Sequence, residues 1–141
     1  MALEISGALR DVLATATDIF NNGVLEIRTG AAPGANAADA GTLLASITLP
    51  ADCFTGPSSG NGQLSLNGTW QDASADAAGT AAHFRIKQSG DTGGATGTTD
   101  ERIEGSVTAT SGGGDLELDN TSIAAGQQVT ISTATVTMPA S

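Results

Sequence analysis

The sequence predicts a mainly β protein, an antiparallel β-sandwich with one N-terminal α-helix. Three observations carry this. Beyond Gly23, segment after segment alternates apolar and polar residues with period two. Hydrophobic residues make up 39% but aromatics only 3%, with one Trp and no Tyr, a small-residue composition that suits thin β layers joined by many turns. One stretch alone, near the N-terminus, carries helical spacing.

At 141 residues the chain predicts one domain, long enough to bury roughly 68% of its unfolded surface. Its organisation divides into an N-terminal helix or arm over 1–22 and a β-sandwich domain over 23–141. The 19 glycines show no three-residue period, which excludes collagen.

The helix is expected within "ISGALRDVLATATDIFNNG", where Ile5, Leu9, Val12, Leu13, Ala16 and Phe20 recur at three- and four-residue intervals along one face. Ser6 is placed to cap its start, and Asn21, Asn22 and Gly23 to stop it, because Asn and Gly tolerate a left-handed conformation. Thr15 and Thr17 weaken it. So short a helix needs a packing partner, either its own domain or a neighbouring subunit.

Strands follow. "GVLEIRTG" sets Leu25 and Ile27 against Glu26 and Arg28, and "GTLLASITLP" puts Leu43, Ala45, Ile47 and Leu49 on one face before Pro50 ends the ladder. "GQLSLNGTW" offers Leu64 and Leu66. "AAHFRIKQSG" points Ala82, Phe84 and Ile86 inward and His83, Arg85 and Lys87 outward. "ERIEGSVTA" offers Ile103, Gly105 and Val107, and "GDLELDN" sets Leu116 and Leu118 against Asp115, Glu117 and Asp119. Such alternation predicts antiparallel sheets covered on one side only. The final run shifts phase, from Val129 and Ile131 to Ala134, Val136 and Met138, so it needs a bulge near Ser132 or Thr133 or a bend between two sheets.

The connecting segments "TGAAPGANAADAG", "DCFTGPSSGNG", "QDASADAAGT" and "SGDTGGATGTTDE" are long and poor in apolar residues. With so little surface to bury, some are expected to become ordered only against a neighbouring chain.

Fifteen acidic residues against five basic ones give a formal net charge of −10, a balance that repels nucleic acid and favours solubility. No run approaches membrane-spanning length, and the charged N-terminus does not resemble a signal peptide, so neither membrane nor export is expected. Cys53, the sole cysteine, excludes an internal disulfide and a structural zinc site and fits a reducing compartment. A Cys53–Cys53 link between subunits is the alternative.

Candidate chemistry is thin. His83, the one histidine, has no nucleophile near it in sequence. Asp115, Glu117 and Asp119 could together offer oxygen ligands to a hard cation, yet they lack EF-hand spacing and the calcium β-roll repeat, so a solvated acidic face is expected. "SGDTGGATG" has no P-loop lysine. Asp100, Glu101 and Glu104 resemble a paired-carboxylate arrangement for sugar hydrolysis but lack the aromatic platforms sugars require. No catalytic residue, metal or cofactor is therefore expected. Trp70 and Phe54 are each either core plugs or interface anchors; the candidate interface set is Leu9, Val12, Leu13, Phe20, Phe54 and Trp70.

"GVLEIRTGAAPGANAADAGTLLASITLPA", "AAGTAAHFRIKQSGDT", "IEGSVT" and "GDLELDNTSIAAGQQVTISTATVTMPA", together with the helix and its "LRD", resemble small structural proteins of tailed phages and prophages. That resemblance spans nearly the whole chain. It implies a non-enzymatic virion component, a head decoration (cement) protein with a jelly-roll-like β-sandwich. It would be made in the bacterial cytoplasm and carried on the outer head surface. The implied partners are the phage major capsid protein and copies of itself, as trimers or dimers; no nucleic acid or membrane is involved. A tail, collar, baseplate or fibre protein is the alternative, and a free enzyme or sugar-binding module the third class.

Overall fold

The computed structural model describes residues 6–57, 60–95, 100–131 and 134–137. The chain is mainly β. A short helix α1 (Gly7–Thr15) runs into a 3₁₀ segment (Ala16–Phe20). Ser6 caps it as expected, its Oγ accepting the Leu9 N–H at 3.2 Å. The stop is also as expected: Asn22 adopts φ 59°, and the Gly23 N–H closes on the Phe20 carbonyl at 2.9 Å. The buried face differs from the one the spacing predicts. Ala14 and Phe20 reach the core, whereas Leu9 and Leu13 are nearly half exposed, because the change from α to 3₁₀ winding after Thr15 rotates the later residues out of register with the earlier ones. The Val12 side chain and Ile5 lie outside the described residues.

Twelve strands follow among the described residues: β1 (Val24–Arg28), β2 (Leu43–Thr48), β3 (Phe54–Thr55), β4 (Gln63–Leu66), β5 (Trp70–Asp72), β6 (Gly79–Thr80), β7 (His83–Lys87), β8 (Arg102–Ala109), β9 (Leu116–Leu118), β10 (Ser122–Ile123), β11 (Val129–Ile131) and β12 (Thr135–Thr137). The principal sheet has the order β2-β1-β7-β8-β9, and three small sheets pair β10 with β6, β11 with β5, and β12-β4-β3. All pairings are antiparallel except β8–β9, which is parallel, a departure from the wholly antiparallel expectation.

Register explains the core. Ile47, Leu25, Ile86 and Ile103 stand side by side across the principal sheet, and Ala45, Ile27, Phe84 and Gly105 form the next row. A Cβ on Gly105 would lie 2.7 Å from the Phe84 ring, so this strand position is glycine to admit the aromatic. A register shift at Ile27/Arg28 lets Leu44 be buried along with Ala45, which strict alternation does not anticipate. These rows join one continuous core with Leu64, Trp70, Leu116, Ile123, Val129 and Ile131 from the smaller sheets.

The terminal run passes between sheets: Val129–Ile131 pairs with β5, and Thr135–Thr137 pairs with β4. That matches the bend between two sheets; a bulge at Ser132 or Thr133, like Met138, lies outside the described residues.

Three residues of the candidate interface set belong to this core. Trp70 is fully buried, its Nε1 donating to the Asn67 carbonyl at 3.0 Å. Phe54 meets it edge-on, with ring centroids 5.4 Å apart. Phe20 is 3% exposed. Trp70 and Phe20 are thus core side chains, and Phe54 shows only its edge, in a groove beside the helical segment. Phe20→Ala should cost about 3–5 kcal/mol in urea unfolding, whereas Leu13→Ala, at an exposed site, should change stability by about 0.5 kcal/mol or less.

Candidate functional site

The second face of the principal sheet holds the polar half of each alternating strand. Ser46, Glu26, Arg85 and Glu104 form one cross-strand row, and Arg28, His83 and Ser106 another, with Lys87 beside Arg102 at the end. These residues were expected to point into solvent. They point away from the core but are buried: His83, Arg85 and Lys87 are at most 3% exposed. What covers them is the chain's own connection between β1 and β2, the stretch "TGAAPGANAADAG".

Arg85 is the centre of this cover. It pairs with Glu104 and with Asp39 (2.8 Å), and donates to the carbonyls of Ala37 and Gly34, each at 2.9 Å. Lys87 binds Glu26 at 2.7 Å and Asp39 at 2.8 Å, and Arg28 binds the same two acids. Glu104 returns a bond by accepting the Gly34 N–H at 2.8 Å. Arg102 grips Asp91 through two nitrogens, at 2.6 and 2.7 Å, and reaches the carbonyls of Ala37 and Gly94. The β7–β8 connection is thereby tied to the β1–β2 connection, and the Asp39 N–H seals the joint on the Gly93 carbonyl at 2.8 Å. Gly93 has φ 83°, and a Cβ there would stand 2.1 Å from Asp39 Oδ2; only glycine lets the two connections meet.

Four of the five cations and four of the fifteen acids of the chain thus lie in one cluster of balanced charge. The β1–β2 connection, and the described start of the β7–β8 connection, lie on their own sheet, because arginine donors satisfy backbone carbonyls that apolar side chains could not.

Titration follows from this packing. Burial pushes the Asp39 carboxyl up, but Lys87, Arg28 and Arg85 together outweigh it and hold it below the ordinary carboxylate value. Arg102 does the same for Asp91, with help from the Gly93 N–H. Asp115 is lowered by the backbone N–H and hydroxyl of Ser106.

The remaining candidates are placed as follows. His83 holds the Gly30 carbonyl through Nδ1 at 2.9 Å, and its Nε2 is the one buried side-chain nitrogen or oxygen without a partner among the described residues. Cys53 is wholly buried, and burial, more than the nearby Asp18 and Asp52, pushes its thiol up to about 11; it is closed to a subunit-linking disulfide. Asp115 serves Ser106, and Glu117 accepts the N–H groups of Ser111 and Gly113, so two of the three acids of that face organise the β8–β9 turn. Of the sugar-hydrolysis acids, Glu104 is committed to Arg85, Asp100 accepts from Gln88 Nε2 and Glu101 is exposed. Among the described residues no three His, Cys, Asp or Glu side chains converge to hold a metal ion, and no helix is long and apolar enough to cross a membrane.

No protein-family model matches this chain, and no curated protein or solved structure is significantly similar to it.

Arg85→Met should cost about 3–5 kcal/mol, since it leaves Glu104 buried without its partner, read as a drop in the urea midpoint. A pH series checks the carboxylates. Folding lowers Asp39 and Asp91 below their unfolded values, so their stabilisation is complete above about pH 4 and lost as pH falls through the folded values. The urea midpoint should hold level from pH 7 to about 5 and fall below about 4, with a shallower acid limb in Asp39→Asn.

Proposed function

We propose that this chain is a non-enzymatic structural component of a tailed-phage virion, a head decoration (cement) protein that binds and stabilises the lattice of the major capsid protein. The observation that carries the reading is how the chain spends its reactive side chains. Its one imidazole and one thiol are buried, and four of its five cations hold its own loops in place. What it offers outward is acidic, small-residue and threonine-rich β surface, together with one exposed helical face. The sequence resemblance to phage structural proteins points the same way. We further infer a jelly-roll-like β-sandwich, supported by the terminal run that leaves one sheet at Ile131 and joins another at Thr135.

Such a role needs shape and adhesion. A repeating lattice presents one site many times, so modest contacts sum through avidity. Threonine suits the exposed strands because it keeps high β propensity without building an apolar patch.

Particles purified from a host carrying this gene provide the test. The chain should co-purify with them at a copy number comparable to that of the major capsid protein. A few copies per particle would transfer it to the tail, collar, baseplate or fibre, and recovery only as free protein, with none on particles, would overturn the virion assignment.

A further inference from the structure

Among the described residues, the three large hydrophobic side chains that stand exposed all fall on one short segment: Leu9 and Leu13 on α1, and Ile19 in the 3₁₀ turn. Next to this segment, where it faces the β3–β4 hairpin, lies a groove of about 260 Å³. Buried Ala14, Phe54 and Leu64 line it together with the exposed acids Asp18 and Asp52. Neither acid forms an ion pair among the described residues; Asp52 Oδ2 has only a long 3.5 Å contact from Asn67 Nδ2. An apolar lining next to unpaired carboxylates fits a side chain with an aliphatic stem and a cationic end.

We propose that this groove and the neighbouring leucine face dock a lysine- or arginine-bearing, otherwise apolar segment of a different protein. The stem of its basic residue lies along Ala14, Phe54 and Leu64, its cation meets Asp18 and Asp52, and its apolar residues cover Leu9, Leu13 and Ile19. Charge selects a different protein over a second copy. Four of this chain's five cations are locked under the β1–β2 connection, the fifth is Arg10 on α1, and each copy brings a net charge of −10. A second copy therefore repels where a basic partner is drawn in. The inference rests on the adhesive role proposed above and names the chemistry of the partner surface.

The test uses isotope-labelled full-length protein and two synthetic amphipathic peptides of equal length, one alternating leucine with lysine and the other leucine with glutamate. The lysine peptide should shift the amide resonances of Ala14, Asp18, Asp52, Phe54 and Leu64, and the glutamate peptide should not. The Asp18→Asn/Asp52→Asn pair should weaken binding at least tenfold, and Asp115→Asn/Asp119→Asn less than twofold, with thermal unfolding confirming that both variants fold. Shifts spread equally over the Asp115–Asp119 side would overturn the proposal. So would affinity indifferent to Asp18 and Asp52, or self-association in sedimentation that Leu13→Glu abolishes. No particle enters this titration, so its failure leaves the virion assignment standing, and loss of that assignment leaves a localised lysine-peptide site intact.

Discussion

Arg28, Arg85, Lys87 and Arg102 share one face of the five-stranded sheet, and burying four positive charges is tolerable only if each meets carboxylates or carbonyl oxygens. That demand organises much of the molecule. Asp39 must return over the sheet to meet three of the cations, so the β1–β2 connection folds back as a cover. Asp91 must hold Arg102, which fixes the β7–β8 connection beside it. Gly93 and Gly105 then supply the room, one where two loops touch and one where the Phe84 ring presses on a neighbouring strand. An ion cluster of this kind is a modest source of net stability, but leaving any one member unpaired is expensive. It therefore acts chiefly to specify a single arrangement of the loops.

The same cluster determines what the outside looks like. With four of its five cations withdrawn, the chain presents acids such as Asp18, Asp52, Asp76 and Asp119 at exposed positions. Trp70, Phe54 and Phe20 belong to the core, and among the described residues the large apolar side chains left exposed are those of the helical segment. The chain's two most reactive side chains, His83 and Cys53, are sealed away from solvent.

Much of this was legible in the sequence. Period-two alternation located β1, β2, β4, β7, β8 and β9, the Ser6 and Asn22 signals bracketed the helical segment, and the phase break after Ile131 marked the passage between sheets. What alternation cannot report is whether the polar face is wet. His83, Arg85 and Lys87 occupy the predicted phase but are covered, because the cover is made of backbone carbonyls, and composition describes only side chains. One signal was present: Arg28, Arg85, Lys87 and Arg102, four of five cations in an acidic chain, fall on the polar phase of three strands that pair in register with Glu26 and Glu104. The helix face was misjudged for a different reason, since the spacing of Leu9, Leu13 and Phe20 assumes one uniform helix and the winding changes after Thr15.

Native-state hydrogen exchange on the isolated protein tests most directly whether the ionic cluster orders the loops without a partner. The Gly34 amide, bonded to Glu104, and the Asp39 amide, bonded to Gly93, should exchange as slowly as amides of β1 and β7, and Arg85→Met should speed both selectively. Fast exchange at Gly34 and Asp39 in the wild-type chain, with the sheet itself still protected, would mean that the cover forms only in an assembly and would contradict the account.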